Sequence, residues 1–142
     1  MSTMRSLAIV AFLVALCGCG VAAAEDEAVD TSDAMAAANE WLALVDRGRG
    51  REAYEMAAES FRKGIEQLKW EVATDNVRNT LGNVVARKLR TATFTRTLPG
   101  APDGEYVLFY FDTRFEKKAL ATELVTSERE NGTWRVGGYW VR

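Results

Sequence analysis

Apolar and polar positions follow three different patterns along this chain. Residues 7–16 form an unbroken apolar run, residues 33–81 repeat apolar positions every three or four residues, and residues 84–141 alternate. Spacings of three and four are typical of one face of a helix, and alternation is typical of a half-buried strand. The pattern therefore predicts an apolar leader, then a helical half, then a sheet.

The helical half predicts three helices. The first begins at Ser32 or Asp33, either of which can cap it, and Gly48 ends it. The second covers about 51–63 and the third about 66–81, closed by Gly82. The predicted core positions are Ala34, Ala37, Ala38, Trp41, Leu42 and Val45 in the first helix, Tyr54, Ala57, Ala58 and Phe61 in the second, and Leu68, Val72, Ala73, Val77 and Leu81 in the third.

The alternating half predicts strands over 84–98, 106–115, 120–130 and 133–141. A Pro- and Gly-rich cluster over 99–104 forces the first turn, and Asn131-Gly132 is typical of a type I′ hairpin. We therefore predict an α+β domain with three N-terminal helices packed on a four-stranded antiparallel meander. The predicted core face of the second strand consists of Val107, Phe109, Phe111 and Phe115.

The leader has the pattern of a secretory signal peptide. A short start with one cation, Arg5, precedes the apolar run, which is about half the ~20 residues that a membrane-spanning helix needs. We expect residues 1–24 to be the signal, residues 25–32 an acidic tether, and residues 33–142 one domain. The expected location is the periplasm.

Two processing routes are open. Residues 16–19 resemble a bacterial lipobox in which Cys19 follows a small residue, although Cys17 departs from its usual second position. Lipidation of Cys19 would anchor the protein to the outer membrane. Alternatively, cleavage after Ala24 would release a soluble protein. Both cysteines lie before residue 25, so no disulfide is expected in the domain.

Composition excludes several kinds of chemistry. The chain has no histidine, which removes Ser-His and Cys-His nucleophiles and the commonest zinc and haem sites. Loss of residues 1–24 removes one of 18 basic and none of 20 acidic residues, leaving a formal charge of −3. We expect no cofactor, metal or nucleic-acid partner, and membrane contact only through a lipid anchor. The partner expected is an envelope protein or a small ligand.

Two carboxylates on the predicted strands are weak catalytic candidates. Asp112 shares a face with Arg114, so it is either a general base in a sheet-lined pocket or half of a solvent-facing ion pair, which is the commoner case. Glu123 is expected to pair with Arg135 or Arg114 across the sheet, or to contact a ligand.

Aromatic and basic residues supply the remaining candidates. Tyr139 and Trp140 on the last strand are the binding candidates, because an edge strand can accept a partner there. Trp41, Trp70 and Trp134 are expected to pack in or around the core. The basic run 87–90 is expected to be exposed to solvent and to protect a sheet edge from aggregation.

Several motifs together resemble a known family. They are Trp41-Leu42-Ala43-Leu44-Val45-Asp46 with Gly48, Arg78-x-x-Leu81-Gly82, and the closing Trp134-Arg135-Val136-x-Gly138-Tyr139. This pattern is similar to the exported bacterial proteins grouped as domain-of-unknown-function family 4019, from about Ala36 to the C-terminus. The resemblance implies export and a compact α+β domain but no established activity. Tyr54 departs from the family, where a tryptophan is expected.

The order of elements also resembles, more loosely, the cone-shaped cystatin-like or nuclear-transport-factor-2-like folds. This resemblance concerns the fold alone. Two functions are therefore expected in competition. The first is a non-enzymatic exported domain that binds a partner or ligand. The alternative is a small cavity enzyme of isomerase or dehydratase type that uses Asp112 or Glu123. A polar cavity holding one of these carboxylates would favour the enzyme.

Overall fold

A computed structural model describes residues 29–142, in which four helices precede a four-stranded sheet. The strands pair antiparallel in the order β1-β2-β3-β4, so the predicted α+β meander is confirmed. The predictions for the signal, Cys19 and most of the tether fall outside the described residues. The elements are α1 (Ser32–Asp46), α2 (Gly50–Met56), α3 (Glu59–Gly64), α4 (Gln67–Leu81), β1 (Val84–Thr95), β2 (Tyr106–Phe115), β3 (Lys118–Glu130) and β4 (Thr133–Val141).

The ends of α1 show how local sequence sets its limits. Thr31 occupies the N-cap position without a side-chain cap, so the predicted cap at Ser32 or Asp33 is wrong. At the other end, Gly48 adopts a φ of 72° and its N–H donates to Val45 O at 3.0 Å. Glycine adopts that left-handed conformation without a steric penalty, which explains why the helix stops here as predicted.

The second predicted helix is two helices, because the backbone is extended at Ala57 and Ala58. Both alanines are fully buried, as predicted, but the continuous helix is wrong. The break lets the Ala58 N–H leave the helical pattern and donate to Val136 O on β4 at 2.8 Å. A backbone bond to the sheet therefore replaces one turn of helix.

The predicted core face of the last helix is also wrong. Leu68 is 72% exposed and Val72 is exposed as well, whereas Trp70 and Thr74 are buried. The Trp70 indole N–H donates to Gly50 O at 2.9 Å. Because α4 packs on α2 rather than directly on the sheet, the buried indole and its hydrogen bond set the rotation of the helix. Leu68 and Val72 turn outward as a result.

The core lies between the helices and the inner face of the sheet, which is the face toward the helices. The predicted β2 face of Val107, Phe109, Phe111 and Phe115 is buried, as are Trp41 and Trp70. The layer of helices is off-centre, because α1 packs on β3 and β4 and α3 packs on β4. Much of β1 is consequently exposed, and a space remains between α4 and one end of the sheet. Between residues 29 and 142, no helix combines the length and apolar content required to span a membrane.

Candidate functional site

A buried carboxylate lies at the centre of the candidate site. Glu123 lies two residues from buried Ala121 and from buried Val125 on β3, so its side chain is on the same inner face, where it is fully buried. Arg87 on β1 approaches it across β2, with Nε 2.7 Å from Oε1 and Nη2 3.1 Å from Oε2. This two-point contact fixes both the carboxylate and the guanidinium in one plane.

Two hydroxyl groups complete the surroundings of Glu123. Thr113 lies on β2 between Arg87 and Ala121 in the register of the sheet, and its Oγ1 donates to Oε1 at 2.5 Å. The Tyr139 hydroxyl donates to Oε2 at 2.6 Å. Each carboxylate oxygen therefore accepts two hydrogen bonds, which compensates for the loss of water around a buried charge.

Arg87 also connects the sheet to the helices. Asp46, the last residue of α1, accepts from Nη1 at 2.8 Å and from Nη2 at 3.0 Å. The Arg87 side chain is only 15% exposed. Burial by itself lowers the pKa of Arg87, but its hydrogen bonds and ion pairs with Asp46 and Glu123 outweigh burial and raise the pKa above the usual value. Arg87 therefore stays charged and joins α1, β1 and β3 in one network.

Tyr139, like Thr113, is a neutral donor in this network. Burial raises the pKa of its hydroxyl well above the ordinary value, and the negative charge of Glu123 raises the pKa further. Ionisation would place a second negative charge beside the carboxylate, with little water to stabilise either group. The hydroxyl therefore remains protonated and serves as a fixed hydrogen-bond donor.

A cavity of about 340 Å³ lies beside this network, between α4 and the end of the sheet. This volume falls in the range of small-molecule sites, about 300–1,000 Å³. Asp46 and Tyr139 are the members of the network that reach its wall, and most of the remaining wall is apolar. The apolar side chains are Val45, Ile65, Trp70, Ala73, Val77, Val84, Phe115, Trp140 and Val141, and the other polar ones are Thr74, Arg78 and Asn83.

Arg78 of α4 is the cation at the cavity. Its Nη1 donates to the carbonyl oxygens of Val45 (3.2 Å) and Asp46, which caps the C-terminus of α1 from another helix. A Cβ at Gly48 would lie 3.3 Å from the Arg78 guanidinium carbon, so glycine makes room for this cap. Within residues 29–142, no carboxylate forms an ion pair with Arg78.

The structure places the two predicted carboxylates on opposite faces of the sheet. Asp112 is on the outer face, the face away from the helices, where its side chain is 60% exposed and lies 2.9 Å from Arg90. The predicted ion pair between Asp112 and Arg114 is therefore wrong. Glu123 is on the inner face. Its predicted ion pairs with Arg135 or Arg114 are wrong, because its carboxylate pairs with Arg87 instead.

The remaining predictions divide between right and wrong. β4 is an edge strand as expected, and Trp140 is 40% exposed. Tyr139 points to the inner face because it alternates with Trp140, so the two rings do not form one platform. Trp41 and Trp70 are in the core as predicted, and Trp134 packs against it. The interpretation of Arg87 as an exposed residue that protects a sheet edge is wrong, because two buried or half-buried carboxylates hold it.

Tyr54 has a structural role at the position that departs from the family. Its hydroxyl lies 3.0 Å from Arg62 O and 2.9 Å from Ile65 O, at the end of α3. Its ring packs edge-on against Phe61, with 6.3 Å between the ring centres. The phenol therefore holds the last carbonyls of this short helix.

Sequence reasoning missed Asp46, Arg87 and Arg78 as site residues. Asp46 and Arg78 belong to the motifs that carry the family resemblance, and this was the one feature of the sequence that pointed to them as site residues. Among the described residues, no group of three or more carboxylate, cysteine or histidine side chains could hold a metal ion.

These features define a class: small α+β domains with an off-centre layer of helices on an antiparallel sheet and a cavity between the two layers. Within that class, the chain belongs to the family described as protein of unknown function (DUF4019), whose pattern matches residues 37–139. The resemblance noted in the sequence is therefore confirmed. No curated protein matches the chain.

Proposed function

We propose that this protein is an exported, non-enzymatic binding domain that holds a small, mainly apolar molecule in the cavity between α4 and the sheet. The observation that carries the proposal is the cavity itself, about 340 Å³ with a mainly apolar wall. Export is supported by the leader pattern of residues 7–16. Release of apolar surface from water would supply most of the affinity.

The positions of the carboxylates count against the alternative, a small cavity enzyme. A general base needs a free oxygen within reach of substrate. Glu123 does not reach the cavity wall, and all of its hydrogen bonds are made to Arg87, Thr113 and Tyr139. Asp112 lies on the other face of the sheet. The one carboxylate at the cavity, Asp46, is bound at both oxygens by Arg87.

The wall also indicates the shape of ligand that fits. Trp70, Val77 and Phe115 offer apolar surface, whereas Arg78 is the group at the wall that offers N–H donors without a carboxylate partner among residues 29–142. A ligand with an apolar body and one hydrogen-bond-accepting or acidic end matches this arrangement.

A matched pair of substitutions on α4 tests the site. Both Ala73 and the neighbouring Val72 are exposed, but Ala73 lines the cavity and Val72 does not. The probe is anilinonaphthalene sulfonate, which has an apolar body and an acidic end, and the readout is a fluorescence titration. We expect Ala73→Trp to fill the space and weaken binding by about tenfold or more. Val72→Trp should bind as the unsubstituted protein does.

Unfolding curves of both variants serve as the control for loss of structure, since this dye also binds loosened proteins. Equal affinity in Ala73→Trp and Val72→Trp, with cooperative unfolding of both, would place the dye elsewhere and remove the basis of the proposal. The absence of any binding to the unsubstituted protein would do the same.

A further inference from the structure

A second concave region lies at the end of the sheet where β2 turns into β3. Outer-face residues line most of it, and the inner-face residues Arg87, Thr113 and Ala121 also reach it. It is a shallow groove of about 450 Å³. Four exposed cations from four parts of the chain line it, and we call these the groove cations: Lys88 of β1, Arg114 of β2, Lys118 of β3, and Arg142 after β4. Antiparallel pairing brings them together, since Ala86 lies opposite Arg114, and Arg142 pairs with Thr122 through backbone hydrogen bonds.

Negative charge does not balance the groove cations. Within residues 29–142, none of the four forms an ion pair or a side-chain hydrogen bond. The carboxylate that lines the groove, Asp112, already pairs with Arg90. The whole chain has a formal charge of −2, so this concentration of positive charge is local and opposite in sign to the molecule. Such a patch attracts anions at short range.

Apolar side chains accompany the groove cations. Leu120 lines the groove and is 88% exposed, the largest exposure among the described large apolar residues. Trp140, 40% exposed, lies under the Arg142 guanidinium, whose carbon is 4.7 Å from the ring centre. Cations combined with an exposed leucine and a tryptophan match the interface of a bilayer, where phosphates lie next to hydrocarbon.

We propose that this groove docks the domain on a bilayer that carries anionic phospholipid headgroups. The groove cations contact the lipid phosphates, and Leu120 and Trp140 reach the boundary between headgroups and acyl chains. The groove has a lining separate from that of the cavity between α4 and the sheet, and Trp140, which lies beside Arg142, belongs to the cavity wall as well. It also adds to the expectation from the sequence, in which a lipid on Cys19 was the sole route to a membrane.

Binding of the full chain to vesicles tests the proposal. The measured quantity is the ratio of affinities for vesicles of phosphatidylcholine mixed with phosphatidylglycerol and for phosphatidylcholine alone. This ratio cancels the contribution of the apolar residues 7–16, which do not distinguish the two lipids by charge. Each cation near an anionic surface contributes about fivefold. We therefore expect the variant with Lys88, Arg114, Lys118 and Arg142 all changed to Gln to lower the ratio by roughly 600-fold.

A control variant carries the same loss of charge in the helical half, with Arg47, Arg49, Lys63 and Lys69 changed to Gln; all four are exposed. The last three form ion pairs, but these are exposed and contribute little to stability. We expect the control variant to keep most of the ratio, and both variants to unfold at the temperature of the unsubstituted protein. Equal losses in the two variants would mean that net charge alone acts, which overturns the proposal. Unchanged binding of the groove variant also overturns it. If polyglutamate binds through the groove cations and anionic vesicles do not, the partner is an acidic protein and the membrane proposal is wrong.

Discussion

Charged side chains are buried and paired on the inner face of the sheet, whereas several on the outer face are exposed and unpaired within residues 29–142. On the inner face, Arg87 and Glu123 are removed from water and held by hydrogen bonds from several elements. On the outer face, Lys88 and Arg114 are exposed and have no partner within residues 29–142. Arg87 and Lys88 are neighbours in the chain, so the face toward which a side chain points decides its role.

The difference matters for energy as well as for position. Breaking a buried ion pair leaves an uncompensated charge and costs about 3–5 kcal/mol, whereas an exposed pair contributes about 0–1 kcal/mol. If the comparison holds, substitutions on the inner face should destabilise the fold, and those on the outer face should alter binding alone.

The largest effect is expected from Arg87→Met. The substitution leaves two carboxylates without their cation: Glu123, which is fully buried, and Asp46, which is half-buried. We expect the free energy of unfolding to fall by about 3–5 kcal/mol, measured by urea denaturation. The neighbouring Lys88→Met is the control and should stay within about 0.5 kcal/mol. Similar small losses in both variants would show that the buried network contributes little to stability.

An intermediate effect is expected from Tyr139→Phe, which removes one hydrogen bond to the Glu123 carboxylate. A hydrogen bond to a charged group contributes about 1.5–3 kcal/mol, and we expect the lower end because Arg87 and Thr113 remain.

The same variant has a predicted pH dependence. The pKa of Tyr139 is raised in the folded state from an ordinary value of 10.0, so folding favours the protonated phenol. Its contribution to stability is complete below about pH 10 and is lost as the pH rises further, by up to about 1.4 kcal/mol per pH unit. Tyr139→Phe should therefore show a shallower loss of stability above pH 10. Parallel curves for the two proteins would contradict the buried position of the phenol.

The smallest effect is expected from Arg90→Gln. Arg90 pairs with Asp112 and its Nη2 lies 2.9 Å from Thr122 Oγ1, but both charged side chains are about half exposed. We expect a change within about 0.5 kcal/mol by urea denaturation. A loss of 2 kcal/mol or more would mean that the outer face stabilises the fold as the inner face does, and the contrast between the faces would fail.

Local patterns were sufficient to predict that helices precede a four-stranded meander and which face of β2 is buried. Alternation placed Val107 and Phe109 inside, and the Asn131-Gly132 turn has the positive φ angles, 50° and 82°, that its residues predicted. These features depend on residues close together in the chain, which is why one sequence is enough to read them.

Features that depend on distant residues were not predictable. Arg87 lies 36 residues from Glu123 and 41 from Asp46, and no periodicity encodes either distance. The rotation of α4 follows from the hydrogen bond between Trp70 and Gly50, across another helix. The groove cations likewise come from four separate parts of the chain. Each case requires the register of the sheet or the packing of the helices, which tertiary structure alone supplies.

The break between α2 and α3 has a consequence for self-association. Sheets that grow into fibres add strands at both free edges, and each copy must offer two. Here the Ala58 N–H occupies Val136 O in the middle of β4, so a foreign strand cannot run along that edge unless the helices are displaced. The edge of β1 is the longer open one, and joining two copies through β1 closes the pair. The bond from Ala58 thus obstructs strand addition along β4.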